Sequence, residues 1–187
     1  DNDGYMGGDL QGIINRLDYL EDLGITGIHF CPLFEGDTNH KYQTTEYMKI
    51  DPAFGTNGLF RSFVNEAHNR GIKIMLDGVF NHVGINHPFF QDVVEKGEAS
   101  IYKEWFNIHQ FPVKPGQYET FGTVSEMPRV NLECPAAIDY FIEVGRFWIE
   151  EFGIDGWRLD VANEVTHDFW KIFRKEMKTI SPNLFIV

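Results

Sequence analysis

Apolar positions along this chain keep two rhythms in alternation. From Leu10 to Leu23 the apolar residues Ile13, Ile14, Leu17, Leu20 and Leu23 recur at helical spacing, and Gly24 supplies the stop. ITGIHFCP, at 25–32, then reads as a strand closed by a proline. The stretch LFEGDTNHKYQTTEYMKIDPAFG, at 33–55, reads as a loop. A second helix covers 59–69, with Phe60, Phe63, Val64 and Ala67 inward and Gly71 at its end. IKIMLDGVF, at 72–80, is a strand that runs out into Asn81 and His82. A long aromatic-rich segment follows, then a helix at about 135–151 and an apolar run from 153. The last helix spans 167–180, Ser181 and Pro182 break it, and LFIV begins another strand.

Strand alternating with helix implies an α/β fold, a parallel sheet with crossover helices. Strand starts fall near 25, 72, 153 and 184. A (β/α)8 TIM barrel spends roughly 30 residues per unit, so the interval from 72 to 153 holds about 50 too many. We therefore expect three segments: 1–83 as the first part of a barrel, 84–134 as a small inserted domain, and 135–187 as the barrel's continuation. Without the insert about 137 residues remain, roughly four to five units where a closed barrel needs eight. A doubly wound sheet also gathers polar residues at strand carboxyl ends, so pattern alone leaves both open.

Charge enters the apolar runs at one conspicuous place. In FGIDGWRLDVANE, at 152–164, Ile154, Trp157, Leu159 and Val161 read as a buried parallel strand interrupted by Asp155, Arg158 and Asp160. Buried charge is costly unless paired or set at a strand end. Arg158 and Asp160 are two apart and share a face. A carboxylate beside a guanidinium stays ionised and points where the arginine allows, as a nucleophile or electrostatic stabiliser needs. A plain structural ion pair is the competing account. Two other clusters follow strand ends: His40 with Tyr42, and Asp77 with Asn81 and His82. On parallel neighbours all three clusters line one mouth. Taken singly, a histidine is more often a surface or core-satisfied imidazole, and an Asp such as Asp77 often shapes its own turn.

The chain has 187 residues, 43% hydrophobic and 15% aromatic, enough for a sizeable core. Its net charge of −12 argues against nucleic acid or anionic membrane as partner. No apolar run approaches a membrane span, and no signal peptide is expected. Cys31 and Cys134 lack metal spacing and read as free thiols, so a cytoplasmic location is expected. The chain starts without methionine and stops inside an apolar run, which suggests a fragment. GxGxxG, GxxxxGK[ST], GxSxG and HExxH motifs are absent. In GYMGGD, a carbonyl and Asp9 face a hard cation at best as two ligands, too few for a calcium site. Aromatics such as Phe89, Phe90, Tyr102, Trp105, Tyr118 and Phe121 suit a surface that stacks sugar faces, though packing of a small domain accounts for most.

HKYQTTEY (40–47), LDGVFNH (76–82), MPRVN (127–131) and GWRLDVANE (156–164), in this order and at this spacing over essentially the whole chain, resemble the α-amylase family. Their forms resemble its cyclomaltodextrinase, neopullulanase and maltogenic amylase subgroup. The resemblance implies a partial barrel of about strands two to five, with the insert after the third. It implies Asp160 as the nucleophile of a retaining glycosidase, with Arg158 orienting it. His82 would bond the sugar beside the scissile linkage, Tyr42 would stack on it, and His40 would lie alongside. Asp77 and Asn81 would shape the loop under His82, and Asn163 and Glu164 would face the leaving-group side. Gly7 and Asp9 match part of a calcium site of some relatives, so calcium is optional and no cofactor is required. Substrates would be cyclodextrins, maltodextrins or pullulan, cut at α-1,4 and in some cases α-1,6 bonds. The parent would be free of nucleic acid and membrane and could pair as a homodimer. A transglycosylase or a non-catalytic glucan-binding relative are the alternatives. The acid/base Glu would follow the strand begun by LFIV, so this chain alone is expected to be inactive.

Overall fold

The computed structural model describes residues 7–187. In chain order the elements are α1 (Leu10–Ile14), α2 (Leu17–Asp22), β1 (Gly27–His29), β2 (Phe34–Gly36), β3 (Thr44–Ile50), α3 (Asn57–Asn69) and β4 (Lys73–Gly78). They continue with α4 (Pro88–Lys96), two single turns of 3₁₀ helix, α5 (Pro135–Phe152), β5 (Gly156–Leu159), α6 (His167–Ile180) and β6 (Phe185–Ile186).

Strands β1, β4, β5 and β6 form one parallel sheet in that order. Spatial order follows chain order without reversal, so the sheet winds in one direction, as in a β/α barrel, and has no switch point of the doubly wound kind. α5 and α6 pack on each other tightly enough that a Cβ on Gly145 would come within 2.7 Å of the Phe173 ring. The buried rings of Phe34, Phe60, Phe80, Phe141, Trp148, Trp157 and Phe173 fill the layer between helices and sheet. Phe34 stacks on Trp148 at 4.9 Å between centroids.

Two expectations are corrected. The helix expected over 10–23 is two helices. Arg16 leaves helical geometry (φ −118°, ψ 4°) after Asn15, a weak helix former that ends α1. The stretch 33–55, read as a loop, contains the antiparallel pair β2 and β3. Its ladder shifts register twice, and β3 buries Thr44, Tyr47 and Ile50, every third residue instead of every second. A bulged ladder does not show the period of two by which a strand is read. The segment 84–134 holds α4, the 3₁₀ turns and three isolated antiparallel bridges, and a fourth ties its Arg129 to His82. Its buried Phe90, Trp105, Phe106 and Tyr118 belong to the same hydrophobic core as the sheet.

Candidate active site

Pairing of β4 with β5 sets Asp77 directly opposite Arg158 at the carboxyl end of the sheet. The guanidinium Nη1 donates to Asp77 at 3.0 Å to Oδ1 and 2.9 Å to Oδ2, and to Asp160 Oδ1 at 2.6 Å. One nitrogen thus ties two carboxylates from neighbouring strands. Asp77 is fully buried, and Tyr42 Oη donates to its Oδ2 at 3.1 Å. Burial lifts the Asp77 pKa above its ordinary value, against the pull of Arg158 and Tyr42. Burial also works against the charge on Arg158, but the two carboxylates outweigh it and hold the guanidinium charged. The Tyr42 phenol is driven up, first by burial and then by Asp77.

Asp160 lies just past β5 and is nearly buried, its amide donating to the Gly78 carbonyl at 3.1 Å. The next residue, Val161, has φ +42°, a conformation a β-branched side chain rarely adopts. Backbone strain of this kind gathers where a site over-determines the chain. The turn beyond is clasped from two sides. Trp170 Nε1 donates to the Ala162 carbonyl at 2.8 Å, and Arg129 Nη2 to that of Glu164 at 2.7 Å. Asn163 and Glu164 stand exposed on this turn.

His82 is buried with its ring face against Phe121, 5.0 Å between centroids. Its Nε2 lies 3.0 Å from the Tyr42 carbonyl, which can only accept, so that nitrogen carries the proton. Nδ1 then faces the Asn81 amide at 3.3 Å. Burial depresses the His82 pKa and favours the neutral ring. His40 Nδ1 accepts from the Tyr42 amide at 3.1 Å and contacts Thr38 Oγ1 at 3.2 Å. The loop of Tyr42 presses closely on that of His82: a Cβ on Gly84 would sit 2.5 Å from the Gln43 carbonyl oxygen.

Contacts therefore link Asp77, Arg158, Asp160, Tyr42, His40, His82 and Asn81 into one cluster, with Asn163 and Glu164 on the turn that leaves it. Gly7 and Asp9 take no part. Asp9 caps α1, its Oδ1 accepting from the Gly12 amide at 2.7 Å. Among the described residues no three His, Cys, Asp or Glu side chains assemble for a metal, and residues 1–6 of the glycine-rich stretch lie outside the description. Sequence reasoning missed His29, whose Nε2 lies 3.8 Å from Asp77 Oδ2. Its place at the end of β1 was the available signal. Phe121 was named only among the sugar-stacking aromatics and Arg129 only within MPRVN; their contacts with His82 and with the Glu164 carbonyl come from the segment 84–134. Both cysteines are free, and among the described residues no helix is long and apolar enough to cross a membrane.

Parallel strands wound in one direction, with a carboxylate–guanidinium cluster at their carboxyl ends, define the class: part of a TIM-barrel-like α/β catalytic domain. The chain belongs to the α-amylase family, whose model "Alpha amylase, catalytic domain" matches residues 1–187. It is 53% identical over 189 residues to the maltogenic alpha-amylase of Bacillus acidopullulyticus, covering 99% of this chain and 32% of the relative. It is 51% identical over 183 residues to the intracellular maltogenic amylase of Bacillus subtilis strain 168, covering 98% and 31%. Among solved structures a cyclomaltodextrinase superposes with a TM-score of 0.93 at 47% identity, covering 96% of this chain and 32% of that one. The chain spans about a third of the length of the curated relatives it matches.

Proposed function

We propose that this chain carries the nucleophile half of the active site of a retaining α-glucan hydrolase. The observation that carries the reading is the single Arg158 nitrogen that fixes Asp160 Oδ1 at 2.6 Å on the carboxyl rim of the sheet. With Oδ1 anchored, Oδ2 attacks the anomeric carbon of a bound glucosyl unit. The bond from that carbon to the leaving oxygen breaks, and a covalent glycosyl ester forms. A proton must reach the leaving oxygen from a second carboxyl group roughly 5–5.5 Å away. Asp77 cannot serve, because both its oxygens are committed to Arg158. The family resemblance assigns the acid/base to a Glu after β6.

β1, β4, β5 and β6 are read as barrel strands two to five, with 84–134 inserted after the third. His82 and Tyr42 hold the sugar next to the scissile bond, with His40 alongside, while Asn163 and Glu164 meet the leaving-group side. For His82 this means exchanging a protein partner for a sugar hydroxyl, since both ring nitrogens are engaged. The names of the relatives, maltogenic amylase and cyclomaltodextrinase, support cyclodextrins and maltodextrins as substrates. A relative named intracellular supports a cytoplasmic location.

Asp160→Asn in the full-length protein tests the assignment. Turnover of β-cyclodextrin should fall by at least about a thousandfold, as loss of a covalent nucleophile does. Residues 1–187 alone should show none. Unchanged turnover by the variant, or robust turnover by the isolated stretch, would overturn the reading.

A further inference from the structure

Between His40 and Tyr42 stands a residue that the reaction above does not use. Lys41 has φ +61°, in the left-handed region a lysine rarely occupies. Its Nζ lies 2.7 Å from Asp51 Oδ2, with only 13% and 8% of the two side chains exposed. The same ammonium donates to the Gly36 carbonyl at 3.1 Å and stands 6.0 Å from the centre of the Phe54 ring. Asp51 is itself fixed. Its Oδ1 accepts from the Ala53 amide at 2.9 Å, its Oδ2 is approached by the Gly36 amide at 3.4 Å, and its own amide donates to the Leu33 carbonyl at 2.8 Å. Thr44 Oγ1 closes the far side by donating to the Lys41 carbonyl at 3.3 Å. A nearly buried ion pair thus spans the base of the loop joining β2 to β3.

What this pair controls is the next residue. Tyr42 has every polar group engaged: its amide on His40, its carbonyl on His82 Nε2, its hydroxyl on Asp77. Three of the site's side chains therefore meet at one residue whose backbone direction is set by the turn at Lys41. A left-handed turn at a non-glycine residue persists only where its surroundings over-determine it, and here the surroundings are the buried ion pair.

We propose that Lys41 and Asp51 are positioning residues, whose ion pair holds the left-handed turn that seats Tyr42 between His82 and Asp77. The consequence for catalysis rests on the function proposed above; the seating of Tyr42 does not.

The test uses the full-length protein labelled with 3-fluorotyrosine, the ¹⁹F resonance of Tyr42 being assigned by its absence in Tyr42→Phe. Lys41→Met keeps the stem of the side chain and removes the charge. The Tyr42 resonance should move toward those of solvent-exposed tyrosines. kcat on p-nitrophenyl α-maltoside should fall on the order of tenfold to a hundredfold, the scale of a misplaced site group. Lys41→Arg should keep both near wild type. Asp51→Asn, which retains an acceptor for the Ala53 amide, should act in the same direction and decides the matter if Lys41→Met does not fold. An unmoved Tyr42 resonance in either folded variant overturns the proposal, whatever the activity. A moved resonance in a protein that cleaves no maltoside sustains the seating and sinks the function.

Discussion

At the scale of single residues the site turns on how one guanidinium is shared. Arg158 Nη1 meets three carboxylate oxygens, and Asp77 has no exposed surface on which to find water instead. Removing the arginine leaves a buried carboxylate unpaired, which typically costs about 3–5 kcal/mol. Arg158 is itself about a third exposed, so we expect the lower end. Arg158→Met should lose about 3 kcal/mol of stability in urea titration as well as its activity, and adding Asp77→Asn should recover much of the stability but none of the activity. Equal stability of Arg158→Met and wild type would show that water or a neighbouring group already satisfies Asp77. The pairing of Arg158 with Asp160 was legible because residues two apart share a strand face. The stronger claim of Asp77 was not, because cross-strand register is invisible to local pattern. The same holds for the engagement of both His82 nitrogens, since Tyr42 lies 40 positions away in sequence.

At the scale of elements, α4 illustrates how a polar start is built into an apolar place. His87 caps it, Nδ1 accepting from the Phe89 amide at 3.3 Å, and Pro88 opens the first turn. The ring is almost wholly buried against Tyr47, Phe89 and Tyr140. Burial pushes its pKa down to about 4 from 6.5. A histidine with a depressed folded pKa contributes stability above its unfolded value, and this is lost as pH falls through the folded one. His87 should therefore withdraw about 3 kcal/mol between pH 7 and pH 4. His87→Asn, which keeps a capping acceptor, should show a shallower decline of stability over that window, whatever its stability at pH 7. An unchanged slope would mean that His87 does not titrate out of the fold. Long helices with a strong period were legible: 167–180 was expected and α6 occupies those residues. The α1–α2 break and the β2–β3 ladder were not, because one rests on a local departure from helix and the other on a bulged register.

At the scale of the whole molecule, strand order decides what pattern left open. β1, β4, β5 and β6 neighbour one another in sequence order, so the polar residues at their ends face one rim instead of a crevice between two halves. The segment 84–134 stood out in the sequence only as a surplus of length; that its aromatics join the sheet's core was not legible, since packing partners depend on the closed fold. Net charge limits what the rim can attract. With 28 acidic and 16 basic residues the molecule repels anions and would steer cations. The proposed substrates are neutral, so their encounter gains nothing from that field. For the full-length protein, kcat/KM on maltotriose should change by less than about twofold between low salt and roughly 0.5 M sodium chloride, because screening has no charge–charge attraction to remove. A cationic ligand would instead associate about tenfold or more slowly at high salt. A steep fall of kcat/KM with salt would therefore show that the acidic surface takes part in capture and that an uncharged glucan is not what the rim was built to meet.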